Sequence, residues 1–321
     1  MRRTRRALTT TGIVLALTMT LAGCGTGTAA APGSSSSAEG GVTIKAGRFS
    51  WSAAELEIEI LRAIAADHPD LGVSAIDDTQ LDPATAWVGL QRGDIDILPE
   101  VNLPNQQSYV DESADETYLA SQTYDGATQG WFVPRYLVEG ADAPAAGLTS
   151  VDQLEEYADK VGGALDDADP GWVTTQQNTK RLAAYAPSLK HNTSSEAALI
   201  AQLERSYSRQ EPILLYFYHP HWLFQKYDLV QLEEPKAYTD GCFDDGGPGD
   251  CAIPTLSAHI AARKDLEERA PKFAALLGKV AIPLDDIEGM LQKVDVDKRP
   301  VADVAREWVD AHAGDIDGWI G

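Results

Sequence analysis

The chain has 321 residues, of which 44% are hydrophobic and 23% charged, enough apolar material for a sizeable core in one large or two medium domains. Acidic residues number 49 against 26 basic ones, which gives a formal net charge of −23. Because a surface of that charge repels phosphate backbones, the composition argues against nucleic acid as a partner.

The first 24 residues have the features of a lipoprotein signal peptide. Four of the first six residues are arginine, and an apolar stretch over Gly12–Leu21 follows that is too short to span a bilayer. The stretch leads into Leu-Ala-Gly-Cys, which resembles the lipobox of bacterial lipoproteins. The resemblance implies that residues 1–23 are removed and that Cys24 is lipidated, which would anchor the protein to the membrane. An ordinary signal peptide with a chance cysteine is the alternative.

Residues 24–41 consist of little but Gly, Ser, Ala, Thr and Pro. A segment of this composition cannot bury a core, so we expect it to be a flexible tether between the anchor and a folded body that begins at residue 42.

Strand and helix patterns alternate along the rest of the chain. Apolar residues at helical spacing predict helices, and short apolar runs predict buried strands. In chain order, the predicted elements are a strand at Val42–Ile44, a helix at Ala53–Ala66, a helix through Trp87–Leu90 that ends near Gly93, strands at Ile95–Leu98 and Trp131–Pro134, a short helix at Val151–Tyr157, helical segments at Ala183–Tyr185 and Ser195–Ser206, a strand at Ile213–Tyr218 and an amphipathic helix over Pro300–Ile320. This alternation predicts an α/β protein with mainly parallel sheets, and its length favours two lobes.

No catalytic signature is present in the sequence. It contains no Gly-x-Ser-x-Gly elbow, no His-Glu-x-x-His motif and no phosphate-binding loop. We therefore predict that the protein is not an enzyme and holds no cofactor or metal. His219 and His221 flank Pro220 and form a candidate metal clamp, but the sequence places no third ligand beside them. A structural turn at the end of a strand is the preferred interpretation.

Cys242 and Cys251 close an eight-residue loop. In an exported protein, two cysteines this close in sequence predict a disulfide, worth roughly 2–3 kcal/mol by loop-closure entropy. Four aspartates lie in or beside this loop and raise the possibility of calcium binding. Because the EF-hand pattern is absent, a solvated acidic turn is the preferred interpretation.

Five segments of the chain match one family in register. They are Gln91–Asn102, Ala127–Phe132, Asp169–Trp172, Glu211–Leu229 and Asp317–Ile320. Together they resemble the glycine betaine/proline-betaine binding proteins of ABC importers, the ProX-like and OpuAC-like substrate-binding proteins. The resemblance covers essentially all of residues 42–321. It implies a two-lobed type II periplasmic-binding-protein fold with the ligand cleft between the lobes. Residues 42–134 and 255–321 would form lobe I, and residues 135–254 lobe II.

The resemblance also implies a function. The protein would be an extracytoplasmic lipoprotein of an ABC importer that captures an osmoprotectant and delivers it to the permease subunits. The candidate ligands are glycine betaine, proline betaine, carnitine and choline. An exported ligand-sensing lipoprotein and an α/β enzyme with an unrecognised active site are the alternatives.

The chemistry of such ligands calls for aromatic side chains. A quaternary ammonium has no N–H to donate, so aromatic faces must hold its diffuse charge, each worth about 0.5–2 kcal/mol. By the resemblance, Trp172 and Tyr218 match two positions of an aromatic cage. The third position matches Leu103, where the family has tryptophan. Either Trp51 or Trp131 completes the cage, or the ligand is a different one.

A ligand carboxylate needs hydrogen-bond donors at the other end of the site. By the resemblance, the backbone amides of Val173 and Thr174 match the groups that bind it. A side-chain donor matches near Gln107.

Overall fold

The structure, a computed structural model, describes residues 41–321. The predicted signal peptide, the lipidation site Cys24 and all but the last residue of the predicted tether lie outside the described residues. Residues 41–321 lie within one compact unit.

Within the described residues the chain forms nine strands, which alternate with helices. The strands are β1 (Val42–Arg48), β2 (Val73–Gln80), β3 (Ile97–Leu103), β4 (Thr117–Pro134), β5 (Ala164–Asp167), β6 (Lys190–Thr193), β7 (Leu214–His219), β8 (Leu229–Gln231) and β9 (Leu256–Arg263). The helices are α1 (Ser52–Asp67), α2 (Pro83–Arg92), α3 (Gln107–Glu112), α4 (Arg135–Val138), α5 (Leu154–Tyr157), α6 (Val173–Tyr185), α7 (Glu196–Arg209), α8 (Leu223–Lys226), α9 (Leu266–Arg269), α10 (Pro271–Leu277), α11 (Leu284–Asp295), α12 (Val301–Ala311) and α13 (Ala313–Ile320).

Strand β4 connects the two halves of the sheet. The strand order is β2-β1-β3-β9-β4-β7-β5-β6, with β8 paired to β4 outside that path. The first part of β4 pairs with β9 as far as Ala127, and the second part pairs with β7 from Thr128 onward. Gly126 lies at this change of partner with φ +86°, a backbone conformation that only glycine adopts readily.

The sheet is mixed, so the prediction of mainly parallel sheets is wrong. β1 is parallel to β2 and β3, and β5 is parallel to β6 and β7. β9 is antiparallel to β3 and β4, and β4 is antiparallel to β7 and β8. The apolar run of a buried strand identifies the strand but carries no information about its direction, which the connections set.

The local patterns predicted some helices with boundaries close to those observed, but only the end of α6 was predicted, at Ala183–Tyr185, and α3, α4 and α8 to α11 were not predicted. The helix predicted at Ala53–Ala66 is α1, and the segment Ser195–Ser206 is α7, whose N-cap Ser195 accepts a hydrogen bond from the Ala198 amide. The single helix predicted over Pro300–Ile320 is wrong, because the backbone leaves helical geometry at His312 and separates α12 from α13.

The Cys242–Cys251 loop lies against α6. The two cysteines are buried and joined in the structure, with their Cα atoms 6.6 Å apart. The Lys180 ammonium, on α6, donates to the Asp244 carbonyl oxygen at 3.0 Å. The loop is therefore attached to the helix whose N-terminus faces the candidate site described below.

Residues 41–321 contain no cluster of three or more His, Cys, Asp or Glu side chains that could hold a metal ion. Over the same residues, no helix is long and apolar enough to cross a membrane.

Candidate functional site

A small cavity lies where the two halves of the sheet meet. Its volume is about 60 Å³. Since one water needs roughly 10–15 Å³, the cavity can hold a few water molecules or one small molecule. Five aromatic side chains line it: Trp51, Tyr124, Trp172, Tyr216 and Tyr218. Polar residues complete much of the wall: Glu100, Asn102, Asn105, Gln106, Thr128, Gln129, Thr174 and His219.

A tight turn delivers Trp172 to the cavity. The Asp169 carboxylate accepts a hydrogen bond from the Gly171 amide at 2.8 Å, and its carbonyl oxygen accepts one from the Trp172 amide at 3.0 Å. A Cβ at position 171 would lie 3.0 Å from the Cβ of Asp82, so glycine allows the turn to pack closely against the N-cap of α2. The indole nitrogen of Trp172 then donates to the Ser50 hydroxyl at 2.8 Å, which fixes the ring.

Three aromatic rings meet at the cavity, and we call Trp51, Trp172 and Tyr218 the aromatic cage. The Trp172 ring lies edge to face with the Trp51 ring, at a centroid distance of 5.3 Å and an interplanar angle of 88°. Tyr218 contacts Trp172 from another direction, at 5.9 Å and 64°. The rings therefore face the cavity from differently oriented planes, the arrangement that suits a roughly spherical cationic group.

Trp131, the other candidate for completing the cage, does not line the cavity. It is fully buried on β4, its indole nitrogen donates to the Asn178 amide oxygen at 2.8 Å, and the Arg181 guanidinium lies 4.1 Å from its ring centroid. The face of Trp131 is therefore already in contact with a cation of the protein itself.

Two of the predicted site residues, Leu103 and Gln107, do not line the cavity, although the residue before each of them does. Asn102, not Leu103, lines the cavity, while Leu103 packs half-buried against the core. Likewise Gln106 lines the cavity, whereas Gln107 is exposed and donates to Asp111 at 2.8 Å. Leu103 and Gln107 are therefore not among the residues that line the cavity, while the neighbouring Asn102 and Gln106 are.

The N-terminus of α6 lies at the wall of the cavity. Helix α6 begins at Val173, directly after the cage residue Trp172, and both Val173 and Thr174 line the cavity. The first amides of a helix have no carbonyl partner within it, and the helix dipole adds partial positive charge there. The side chain of Trp172 does not cap them. This end of the cavity is thus suited to an anionic group.

A hydrogen-bond network fixes the polar wall beside α6. The Thr174 hydroxyl donates to the Gln129 amide oxygen at 3.0 Å and accepts from the Asn105 side chain at 2.8 Å. The Tyr216 hydroxyl donates to the same Gln129 oxygen at 2.8 Å. Asn105 follows β3 and Gln129 lies on β4, so residues distant in sequence hold the start of α6 in place.

Glu100 is a buried carboxylate in the cavity wall. Its side chain accepts hydrogen bonds from the Trp51 indole nitrogen at 2.6 Å and from the Tyr124 hydroxyl. Burial raises the pKa of Glu100 to about 8, and the charge of Glu196 adds to that rise, while the two hydrogen bonds lower it. No lysine or arginine is among the described residues that line the cavity.

Glu196 connects α1 to the strand that carries Tyr218. It accepts from the Ser52 hydroxyl and from the Tyr218 hydroxyl, each at 2.7 Å. The His221 ring nitrogen lies 3.5 Å from the same carboxylate. Burial, followed by the charge of Glu196, raises the pKa of Tyr218 well above its ordinary value, so the phenol stays neutral and donates. The ring of Tyr218 is held in the cage by this bond.

The chain matches the family model of the substrate-binding domain of ABC-type glycine betaine transport systems, OpuAC, over residues 42–311. It belongs to that family. A relative is the glycine betaine-binding periplasmic protein OusX of Dickeya dadantii, 24% identical over 276 residues, which are 78% of this chain and 81% of the relative. The glycine betaine/proline betaine-binding periplasmic protein of Escherichia coli is 24% identical over 273 residues, with the same coverage of 78% and 81%.

Solved structures confirm that this family member has the type II periplasmic-binding-protein fold. Lactococcal OpuAC, in its closed-liganded conformation with glycine betaine, superposes with a TM-score of 0.72 at 22% identity, covering 87% of this chain and 99% of that one. An ABC-transporter choline binding protein in complex with choline gives a TM-score of 0.70 at 17% identity, covering 86% and 91%.

Sequence reasoning missed Glu100, Asn102 and Gln106 as wall residues. Glu100 and Asn102 lie inside the segment Gln91–Asn102 that carried part of the resemblance. A glutamate in a largely apolar strand was a usable signal, because an acid almost never sits fully buried without a specific partner.

Proposed function

We propose that the protein captures a small quaternary amine of the glycine betaine class outside the cytoplasm and delivers it to the permease of an ABC importer. The observation that carries the proposal is the juxtaposition, in one cavity, of the aromatic cage with the free amides at the start of α6. Membership of the glycine betaine transport family supports it independently.

The two ends of the cavity match the two ends of a betaine. The cage offers aromatic faces to a trimethylammonium group, with each cation–aromatic contact worth about 0.5–2 kcal/mol. The amides of Val173 and Thr174 offer hydrogen bonds and partial positive charge to a carboxylate. A zwitterion therefore fits without any basic side chain in the wall.

The site residues proposed to bind the ligand are those of the aromatic cage, together with the amides of Val173 and Thr174. We propose Asn102 and Gln106 as further binding residues, because both line the cavity. Leu103 and Gln107, which the resemblance implied, do not line it. We further propose that residues 42–134 with 255–321, and residues 135–254, move as two lobes that close over the ligand.

The proposed cellular setting rests on the first 24 residues. The Leu-Ala-Gly-Cys sequence supports lipidation of Cys24 and attachment to the outer face of the cell membrane, with residues 24–41 as the tether. The relatives named above are periplasmic proteins.

Calorimetric titration tests the ligand class. Glycine betaine, proline betaine, carnitine and choline are titrated into the folded protein, with L-proline as a control because its amine is not quaternary. We expect at least one quaternary amine to bind with a Kd well below about 1 mM, equivalent to about −4 kcal/mol. Failure of all four to bind would overturn the proposal.

A further inference from the structure

The cavity wall contains one buried acid, Glu100, and, among the described residues, no lysine or arginine to neutralise it. Glu100 is 2% exposed, and both of its oxygens accept hydrogen bonds from neutral donors, Trp51 and Tyr124. Those bonds orient the carboxyl but bring no positive charge. An ionised carboxylate buried in this way is costly, so in the empty cavity the protonated form is favoured.

A second acid increases that cost. Glu57, on α1, is also buried, and one of its carboxyl oxygens has no hydrogen-bond partner. Burial raises the pKa of Glu57 well above its ordinary value, and the charge of Glu100 raises it further. Since two neighbouring buried carboxyls cannot both ionise cheaply, Glu57 holds its proton and leaves Glu100 as the acid that can titrate.

The other groups whose charges bear on Glu100 come from several elements. They are Glu57 on α1, Tyr124 on β4, Glu196 on α7 and Tyr218 on β7. His219 lines the same cavity, and burial lowers its pKa, so the imidazole is neutral between pH 7 and 9. None of these groups supplies a cation to Glu100 in that range.

We propose that Glu100 is the counter-charge of the cavity and that a quaternary ammonium group binds in exchange for the proton that this carboxyl carries when the cavity is empty. The proton leaves to solvent as the ammonium group enters, so the charge around Glu100 and the aromatic cage is unchanged, and the carboxylate of a betaine is bound separately by the amides of α6. The inference rests on the proposed function, since it assumes a ligand with a quaternary ammonium head.

The contact between Glu100 and Trp51 links this exchange to the cage. The Trp51 indole nitrogen donates to the carboxylate, so ionisation of Glu100 strengthens that hydrogen bond as a charge-assisted one. A negative charge behind the indole also makes its face more attractive to a cation. The carboxyl therefore acts through Trp51, and its role is to position and polarise a ring of the cage.

Proton release on binding tests the exchange directly. Glycine betaine and choline are titrated at pH 7 in two buffers that differ in ionisation enthalpy, which gives the number of protons released. With the pKa of Glu100 at about 8 in the empty site, about 0.9 proton per ligand is expected. The Kd should tighten about tenfold from pH 7 to pH 9 and then stay constant.

Two variants test which carboxyl releases the proton. Glu100→Gln is neutral at every pH, so release should fall to near zero and the Kd should lose its dependence on pH. Glu57→Gln is the matched control, since it replaces a protonated acid outside the cavity wall and should retain the release. Release that disappears in Glu57→Gln and persists in Glu100→Gln would overturn the assignment.

A ligand control separates charge from shape. The anion 3,3-dimethylbutanoate carries a neutral tert-butyl group in place of the trimethylammonium of glycine betaine, and it should release no proton. If the wild-type protein binds glycine betaine or choline with no proton release and a constant Kd from pH 7 to 9, the exchange is wrong and the proposed function stands. If no quaternary amine binds at any pH, the proposed function itself fails.

Discussion

The indole rings of Trp51 and Trp172 meet edge to face at 5.3 Å, although the two residues precede different helices in different halves of the sheet. Each indole nitrogen donates to a partner of its own, Glu100 for Trp51 and Ser50 for Trp172. Because those bonds satisfy the polar edges, the rings present their carbon faces to the ligand. The cage is thus preorganised by contacts behind it.

Removal of one cage face should weaken binding without affecting the fold. Trp172→Ala deletes a ring that contacts both other members of the cage. We expect a loss of about 1–3 kcal/mol, or roughly 5- to 150-fold in Kd, measured by calorimetry with glycine betaine. Trp319→Ala is the control, since Trp319 packs on Trp308 in the terminal helices and is absent from the cavity wall. Equal effects of the two variants would contradict the cage.

Tyr218 allows the ring and the hydroxyl to be tested separately. Tyr218→Phe keeps the aromatic face but removes the bond to Glu196, so a charged acceptor loses one of its two donors. We expect the free energy of unfolding to fall by about 1.5–3 kcal/mol, with a smaller change in Kd than Tyr218→Leu causes. If the phenylalanine and leucine variants bind equally well, the ring does not contact the ligand.

Asn102 and Leu103 are neighbours in sequence, and we expect substitutions at them to have different effects on binding. Asn102 lines the cavity, so Asn102→Leu, which removes its amide at similar size, should weaken binding by about 0.5–1.5 kcal/mol. Leu103 packs on the core instead, and Leu103→Met should leave the Kd within about twofold. A larger change in Kd at Leu103 than at Asn102 would instead support Leu103 as the third cage residue, as the resemblance implies.

The sequence predicted those parts of the site that lie close together along the chain. The turn Asp169–Trp172 and the strand ending at Tyr218 each contain their own local signals, a Pro-Gly pair and an apolar run. The pairing of Trp51 with Glu100 joins residues 49 apart on different elements, and no local pattern encodes it. The same reason explains the strand directions, since antiparallel pairing of β9 with β3 and β4 depends on where the chain returns to the sheet.

Strand register was the second limit on what the sequence could predict about the site. Successive residues of a strand point to opposite faces, so an error of one position exchanges a wall residue for a core residue. Asn102 and Leu103 at the end of β3 differ in this way. Only the folded backbone could decide between them.

The cysteine pair should be a disulfide in the native protein, while Cys24 takes no part. Non-reducing peptide mapping should recover one linked peptide containing Cys242 and Cys251, which are joined in the structure. Reduction should lower the free energy of unfolding by about 2–3 kcal/mol, because the unfolded chain regains the entropy of the loop. Quantitative alkylation of both thiols in native, unreduced protein would contradict the pairing.

Stability of the ligand-free protein should fall as pH rises from about 4.5 to about 8. Burial raises the pKa of Glu100 from 4.5 to about 8 in the folded state, so folding takes up a proton in that range. The sign follows from linkage: the contribution is fully present below pH 4.5, where the carboxyl is protonated in both states, and is lost as pH rises through 8. One such group gives a slope of at most about 1.4 kcal/mol per pH unit.

Urea unfolding at pH 5, 6, 7 and 8 measures this slope, and Glu100→Gln isolates its source. The variant stays neutral in both states, so it should gain stability relative to wild type as pH rises, because only the wild type must ionise a buried acid. Glu55→Gln is the control on α1, where the glutamate is exposed and should leave the slope unchanged. If the free energy of unfolding of Glu100→Gln and of wild type depends on pH in the same way, this carboxyl is already ionised in the ligand-free protein. That result would contradict the proposed proton exchange.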